Sequence, residues 1–170
     1  SACPVPPATA ADLAALNDVR FGADGRGLAC PVSSHIRRAN PRDAFGMQPE
    51  LVSRHRLLRR GMPFGPPLPD DASEDDDIPR GLLFVAYCAS IQRQFELVQR
   101  EWLNDGNVFG VGNSPDPIAG HGDAPRRFLF DLPDRPPAIL GELPRLVRTL
   151  GGEYLFQPGL TGLRHLAASG

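Results

Sequence analysis

There is no lysine in this chain: all 18 cationic side chains are arginine, against 20 acidic residues, for a formal net charge of −2. A balance so close to neutral supplies no basic field for nucleic acid and no polybasic membrane patch. No apolar run approaches the roughly 20 residues of a membrane-spanning helix. Only three cysteines occur, Cys3, Cys30 and Cys88, and no two form a CxxC pair. A structural zinc site and a disulfide scaffold are therefore not expected. Nothing in the sequence fixes a compartment. Proline and glycine are abundant, 19 and 18 of 170 residues, so long loops are expected. The hydrophobic share of 41% is nevertheless enough for one domain with a core.

Residues 1–27 read as a Pro-rich arm and a short helix, with Thr9 as cap and Leu13, Leu16 and Val19 at helical spacing over 10–19. The remainder, 28–170, reads as one domain. Segment 51–60 is expected to be a strand that bends before Gly61-Met62-Pro63. Segment 66–80 carries six acids in the eight positions 70–77 and is expected to be a solvated surface loop. Gly81–Ser90 is almost continuously apolar and predicts a buried strand. Ser90 then caps a helix over 91–103, with Phe95, Val98 and Trp102 on one face. A short strand is expected at 128–131, a hairpin around Gly151-Gly152 within 147–158, and a terminal helix at 160–168. The order of helices and strands predicts an α+β fold, an antiparallel sheet with helices on one face.

The chemistry concentrates at residues 30–43, CPVSSHIRRANPRD. His35 stands beside Arg37, Arg38 and Arg42, with Asn40 between them. A neutral imidazole suits a transition metal, and a guanidinium fork bonds two oxygens of a carboxylate or phosphate at once. One histidine with several arginines matches haem, iron on the imidazole and propionates on the guanidiniums. From the residues alone, a surface loop and a simple anion site remain open beside it.

That run resembles the haem-ligand motif of the dye-decolorizing peroxidases, and four further segments agree in order. LLRRGMPFGPPL at 57–68 resembles the family's distal-arginine segment. RGLLFVAYCASIQRQFELVQREWLND at 80–105 resembles its buried strand and following helix. DPIAGH at 116–121 resembles a loop written DPIxGQ in the family, and VRTLGGEYLFQPGLTGLRHL at 147–166 resembles its C-terminal hairpin. The resemblance implies haem b as cofactor, hydrogen peroxide as oxidant and a dye, phenol or similar reductant as second substrate. His35 would be the proximal iron ligand and Arg59 the distal arginine, with Arg60 as the competing neighbour on the opposite strand face. Asn40 and Arg42 would face a haem propionate, Leu82 and Phe84 would form the apolar distal wall, and Asp116 would accept a hydrogen bond from the far nitrogen of His35, with Asp43 and Glu50 as rivals. Trp102, Tyr87 and Tyr154 are candidate surface electron relays.

Such a carboxylate makes the imidazole more electron-rich, and a permanently cationic arginine stabilises the peroxide anion and the departing oxygen. The family also uses a distal aspartate in a GxxDG motif. Gly22-Ala23-Asp24-Gly25 has the wrong spacing and is not accepted as that motif. The family fold pairs two ferredoxin-like α+β domains with haem between them, and this chain matches the C-terminal one. A second polypeptide carrying the N-terminal half, or a homo-oligomer, is accordingly expected to complete the pocket. The alternative function is a non-catalytic haem-binding module for storage, sensing or transfer, which would need His35 but not Arg59.

Overall fold

The computed structural model describes residues 9–69, 76–122 and 126–169. Helix α1 spans Ala10–Asn17, and a capping box starts it: Thr9 Oγ1 accepts the Asp12 N–H at 3.2 Å while Asp12 Oδ2 accepts the Thr9 N–H at 3.0 Å. It stops two residues before the expected Val19. The Pro-rich arm at 1–8 and most of the acidic run, 70–75, lie outside the described residues. Of that run, Asp76 is held by both terminal nitrogens of Arg80, at 2.5 and 2.6 Å, and this pairing pulls its carboxyl down to about 2. That end of the loop is pinned rather than merely solvated.

Residues 28–43 are not a plain loop. Helix α2, His35–Ala39, rises from a turn knotted by Asp24, whose carboxylate accepts the N–H groups of Leu28 at 2.8 Å and Cys30 at 3.0 Å. Segment 51–60 is also not a single strand. Pro49 starts helix α3, Pro49–Ser53, as an N1 proline does, and only Leu58–Arg59 forms strand β1. Strands β2 (Met62–Phe64), β3 (Gly81–Leu83) and β4 (Ala86–Tyr87) follow. Strand β1 pairs with β4 and β2 with β3, both antiparallel, and the two pairs keep one register: Arg59 opposite Ala86, Met62 opposite Leu83, Phe64 opposite Gly81. They are two pieces of one ribbon.

The helix expected after Ser90 is present as Gln92–Glu96 and Val98–Asn104, but wound wider than an α-helix. The Glu96 N–H reaches the Ile91 carbonyl at 2.9 Å and the Asp105 N–H the Arg100 carbonyl at 3.0 Å, both i→i−5 bonds. Strand β5, Arg126–Leu132, is longer than expected. Strand β6, Arg135–Leu143, is an addition that the prolines at 136–137 hid from a sequence reading, because they fit only an edge strand. Residues 147–158 carry no strand, so the hairpin expected there is absent. Helix α4, Leu160–Ala168, forms as expected.

The core lies where α2, α3 and the wide helix meet: Val52, Val98, Trp102, Leu103 and Phe109. Trp102 is therefore a core residue and not a surface relay. The segment expected to be a buried strand is not buried within this chain; Leu82, Leu83, Phe84 and Tyr87 are all exposed. So are Leu150, Leu155 and Phe156 near the C-terminus. The chain's accessible surface is 13026 Å², whereas a compact monomer of 18.4 kDa exposes roughly 8,000 Å².

Two arginines of the HIRRA helix are the largest fully buried side chains among the described residues. Arg37 lies between the rings of Phe21 and Phe45, 5.0 and 5.4 Å from their centroids, and its terminal nitrogens reach Asp24 and the Cys30 carbonyl. Arg38, with 0% exposure, donates to the carbonyls of Trp102, Ser114 and Asp105, each at 2.8 Å. Neither points outward toward a ligand. Arg38 ties α2 to the end of the wide helix and to the loop after it. Replacing Arg38 by Met should cost about 3 kcal/mol, because three buried carbonyls lose their donor. Replacing the exposed Arg100 should stay within about 0.5 kcal/mol. Urea unfolding of the protein measures both.

Candidate functional site: a buried carboxylate behind a half-exposed histidine

His35 opens helix α2 and Asp116 opens the turn after the wide helix, 81 residues further on. His35 Nδ1 lies 3.1 Å from both Oδ1 and Oδ2 of Asp116. The Asp116 side chain is 0% exposed and that of His35 is 37% exposed. Asp116 is fixed from three directions. Its backbone N–H donates to the Leu103 carbonyl at 2.7 Å, and its Oδ1 accepts the N–H groups of Ile118 at 2.9 Å and Ala119 at 2.7 Å. An aspartate ahead of proline favours such a turn, with its side chain bonded to backbone two and three residues on.

Burial alone would raise the Asp116 carboxyl. The hydrogen bond from His35 and the two turn N–H groups outweigh it and hold the group below its ordinary range. The same burial pulls Arg38 below its ordinary value, and Asp116 and Asp105 oppose that shift. An ionised carboxylate only accepts hydrogen bonds, so Nδ1 of His35 carries the proton and donates. Nε2, the other ring nitrogen, is the lone-pair position in the neutral ring and has no hydrogen-bond partner among the described residues.

The rival carboxylates are elsewhere. Asp43 accepts the Phe21 N–H at 2.7 Å, which holds it below its ordinary range, and Glu50 is exposed at the start of α3. Asp24, in the string rejected above as the distal motif, is occupied by the turn N–H groups and Arg37.

The remaining candidates form two groups. Asn40 caps the end of α2, and Arg42, at a left-handed φ of 55°, donates to the Asn17 carbonyl at 2.8 Å. Both line an open pocket of about 340 Å³ together with Arg20, Arg56 and Glu50. Arg59, Leu82 and Phe84 belong to the ribbon. Its constant register places Arg59 across from Ala86 and Pro63 across from Leu82. By the two-residue alternation of a strand, Arg59, Leu82 and Phe84 share one face, and Arg60 takes the other. All four are exposed, and the Arg59 guanidinium makes no hydrogen bond or ion pair among the described residues. No hydrogen bond joins this face to His35 among those residues. Arg126 and Ser114 around the dyad were not read from the sequence, whereas Arg38 was read into the cation cluster beside His35 and is bonded to backbone carbonyls instead.

Among the described residues no group of three or more His, Cys, Asp or Glu could hold a metal ion by itself. A single imidazole with a free Nε2 and an anionic partner behind it is the donor set for a metal whose other ligands come from a macrocycle. Among the described residues no helix is long and apolar enough to cross a membrane.

An imidazole so placed on an α+β fold fits a single-histidine metal site, and comparison with known proteins gives the chain's family. Residues 15–108 match the family profile "Dyp-type peroxidase, C-terminal". The chain is 34% identical over 175 residues to the dye-decolorizing peroxidase msp1 of Mycetinis scorodonius, a match covering 93% of this chain and 34% of that protein. It is 33% identical to the multifunctional dye peroxidase DyP2 of an Amycolatopsis species, covering 88% of this chain and 35% of that one. The solved structure of an Amycolatopsis DyP2 superposes with a TM-score of 0.62 at 29% identity, over 76% of this chain and 30% of that chain. The chain belongs to the DyP-type peroxidase family and carries its α+β, ferredoxin-like C-terminal domain. It spans about a third of the length of the relatives it matches.

The dyad has a pH signature. A carboxyl held below its ordinary value of 3.8 contributes stability above that pH and loses it as pH falls through the lowered value. Denaturant unfolding of wild type and Asp116→Asn should therefore differ more above about pH 5 than at about pH 3, the difference shrinking as pH drops below about 4. A difference independent of pH down to 3 would contradict the ionised assignment.

Proposed function

We propose that this chain is the haem-ligating part of a peroxidase that uses hydrogen peroxide to oxidise dyes, phenols and similar reductants. The observation that carries the reading is the buried Asp116 carboxylate at 3.1 Å from His35 Nδ1, which leaves Nε2 as the one free donor. His35 would hold the iron of haem b through Nε2, and Asn40 and Arg42 would hold a propionate. Bound haem supplies the redox-active iron at which peroxide is reduced. Asp116 holds the Nδ1 proton and makes the imidazole a stronger electron donor. Arg59 presents a permanent cation to the peroxide oxygens and stabilises the negative charge on the oxygen that departs. Leu82 and Phe84 on the same strand face exclude water beside it.

The exposed apolar ribbon and C-terminal segment support a further element of the reading. Exposed apolar side chains on the ribbon, Leu82 and Phe84, and on the C-terminal segment, Leu155 and Phe156, are unfavourable in water. More protein covers it, either the N-terminal half, on the same or a second polypeptide, or another copy. That half also supplies the distal aspartate. Residues 28–170 form the haem-binding unit and 1–27 its arm.

Two substitutions test the roles. His35→Ala should abolish haem binding, read as loss of the Soret band in the purified protein; an unchanged spectrum rules out the ligand. Arg59→Leu should keep the haem and lose on the order of 10²–10³-fold of peroxide-dependent turnover, the usual loss on removing such an electrostatic group. Full turnover in that variant would remove Arg59 from the catalytic role.

A further inference from the structure

We propose that Arg126 is a positioning residue for the iron-ligating histidine, acting through the Asp116 turn; this rests on the reading that His35 binds haem iron. The turn at 116–120 has two sides. Its N–H groups, from Ile118 and Ala119, grip the Asp116 carboxylate. Its carbonyls are gripped by one guanidinium: Arg126 Nη1 donates to Pro117 at 3.0 Å and Ile118 at 3.2 Å, and Nη2 donates to Gly120 at 2.5 Å. Arg126 is 4% exposed and has no ion-pair partner among the described residues. A buried cation spent wholly on three carbonyls of one turn is costly unless the turn's shape matters. The Pro117 amide has no N–H to offer the carboxylate, so the grip depends on the next two peptides pointing inward. Turning those N–H groups toward Asp116 turns carbonyls of the same stretch outward, where Arg126 collects them.

Gly120 fits this geometry, because its N–H bonds back to the Asp116 carbonyl at 3.1 Å and a Cβ there would lie 2.5 Å from that carbonyl oxygen. Arg126 is in turn held in register with both members of the dyad. It begins β5, and the same strand accepts the Ser114 hydroxyl at the Arg127 carbonyl and the Ser33 hydroxyl at the Leu129 carbonyl. Ser114 precedes Asp116 by two residues and Ser33 precedes His35 by two. Strand β5 thus acts as a ruler against which the carboxylate and the imidazole are both set. The exposed neighbour Arg127 makes no side-chain bond of this kind among the described residues.

Resonance Raman of the ferrous, haem-loaded full protein tests this through the iron–imidazole stretching band, which falls when the hydrogen bond to the far ring nitrogen weakens. Arg126→Met should retain haem and lower the band by most of the shift given by Asp116→Asn. The double variant should show no shift beyond Asp116→Asn alone, and Arg127→Met should match wild type. Arg126→Gln is read the same way and decides the matter should Arg126→Met fail to fold. A wild-type band in the Arg126 variants, or an added shift in the double variant, overturns the proposal and leaves the His35 assignment standing. No shift in Asp116→Asn itself removes the dyad reading on which the proposal rests.

Discussion

A carboxylate sealed from water must find donors for its oxygens, and the centre of this structure is arranged around that demand at Asp116. Two turn N–H groups and one imidazole N–H meet it. The consequence reaches the chemistry directly. Satisfying the buried charge fixes which nitrogen of His35 holds the proton, and so which one is free. The Leu103 carbonyl, Arg38 and Arg126 fix the surrounding backbone, so the anion and the ring meet although 81 residues separate them.

Arginine does two kinds of work here. Arg37, Arg38 and Arg126 are buried and bind mainly backbone carbonyls, which suits a weakly hydrated fork with several donors. Arg42 and Arg59 sit at the pocket and on the ribbon, where a ligand can approach. The ribbon and the C-terminal segment leave their apolar side chains in the open. The buried hydrogen bonds gather behind the histidine, around Asp116, Arg38 and Arg126.

Much of this was legible in the sequence, unevenly. Helix α4 and the cap of α1 followed from local signals, and the α+β class followed from element order. The family was legible from five short segments in register. What misled was burial. Residues 81–90 read as a buried strand because they are apolar, yet Leu82, Leu83, Phe84 and Tyr87 are exposed. Charge misled in the opposite direction: Arg37 and Arg38 read as part of an anion-binding cluster because guanidinium forks suit propionates, and they proved to be the largest fully buried side chains. Strand β6 was hidden by its prolines, and Arg126 by the absence of any local pattern linking it to Asp116.

The account stands on the pairing of Asp116 with His35 and on the free Nε2 that results. A crystal structure of the haem-loaded protein tests it most directly. The account predicts iron bonded to His35 Nε2 with the Asp116 carboxylate still on Nδ1. Iron held by any other side chain, or Asp116 turned away from the ring, would contradict it.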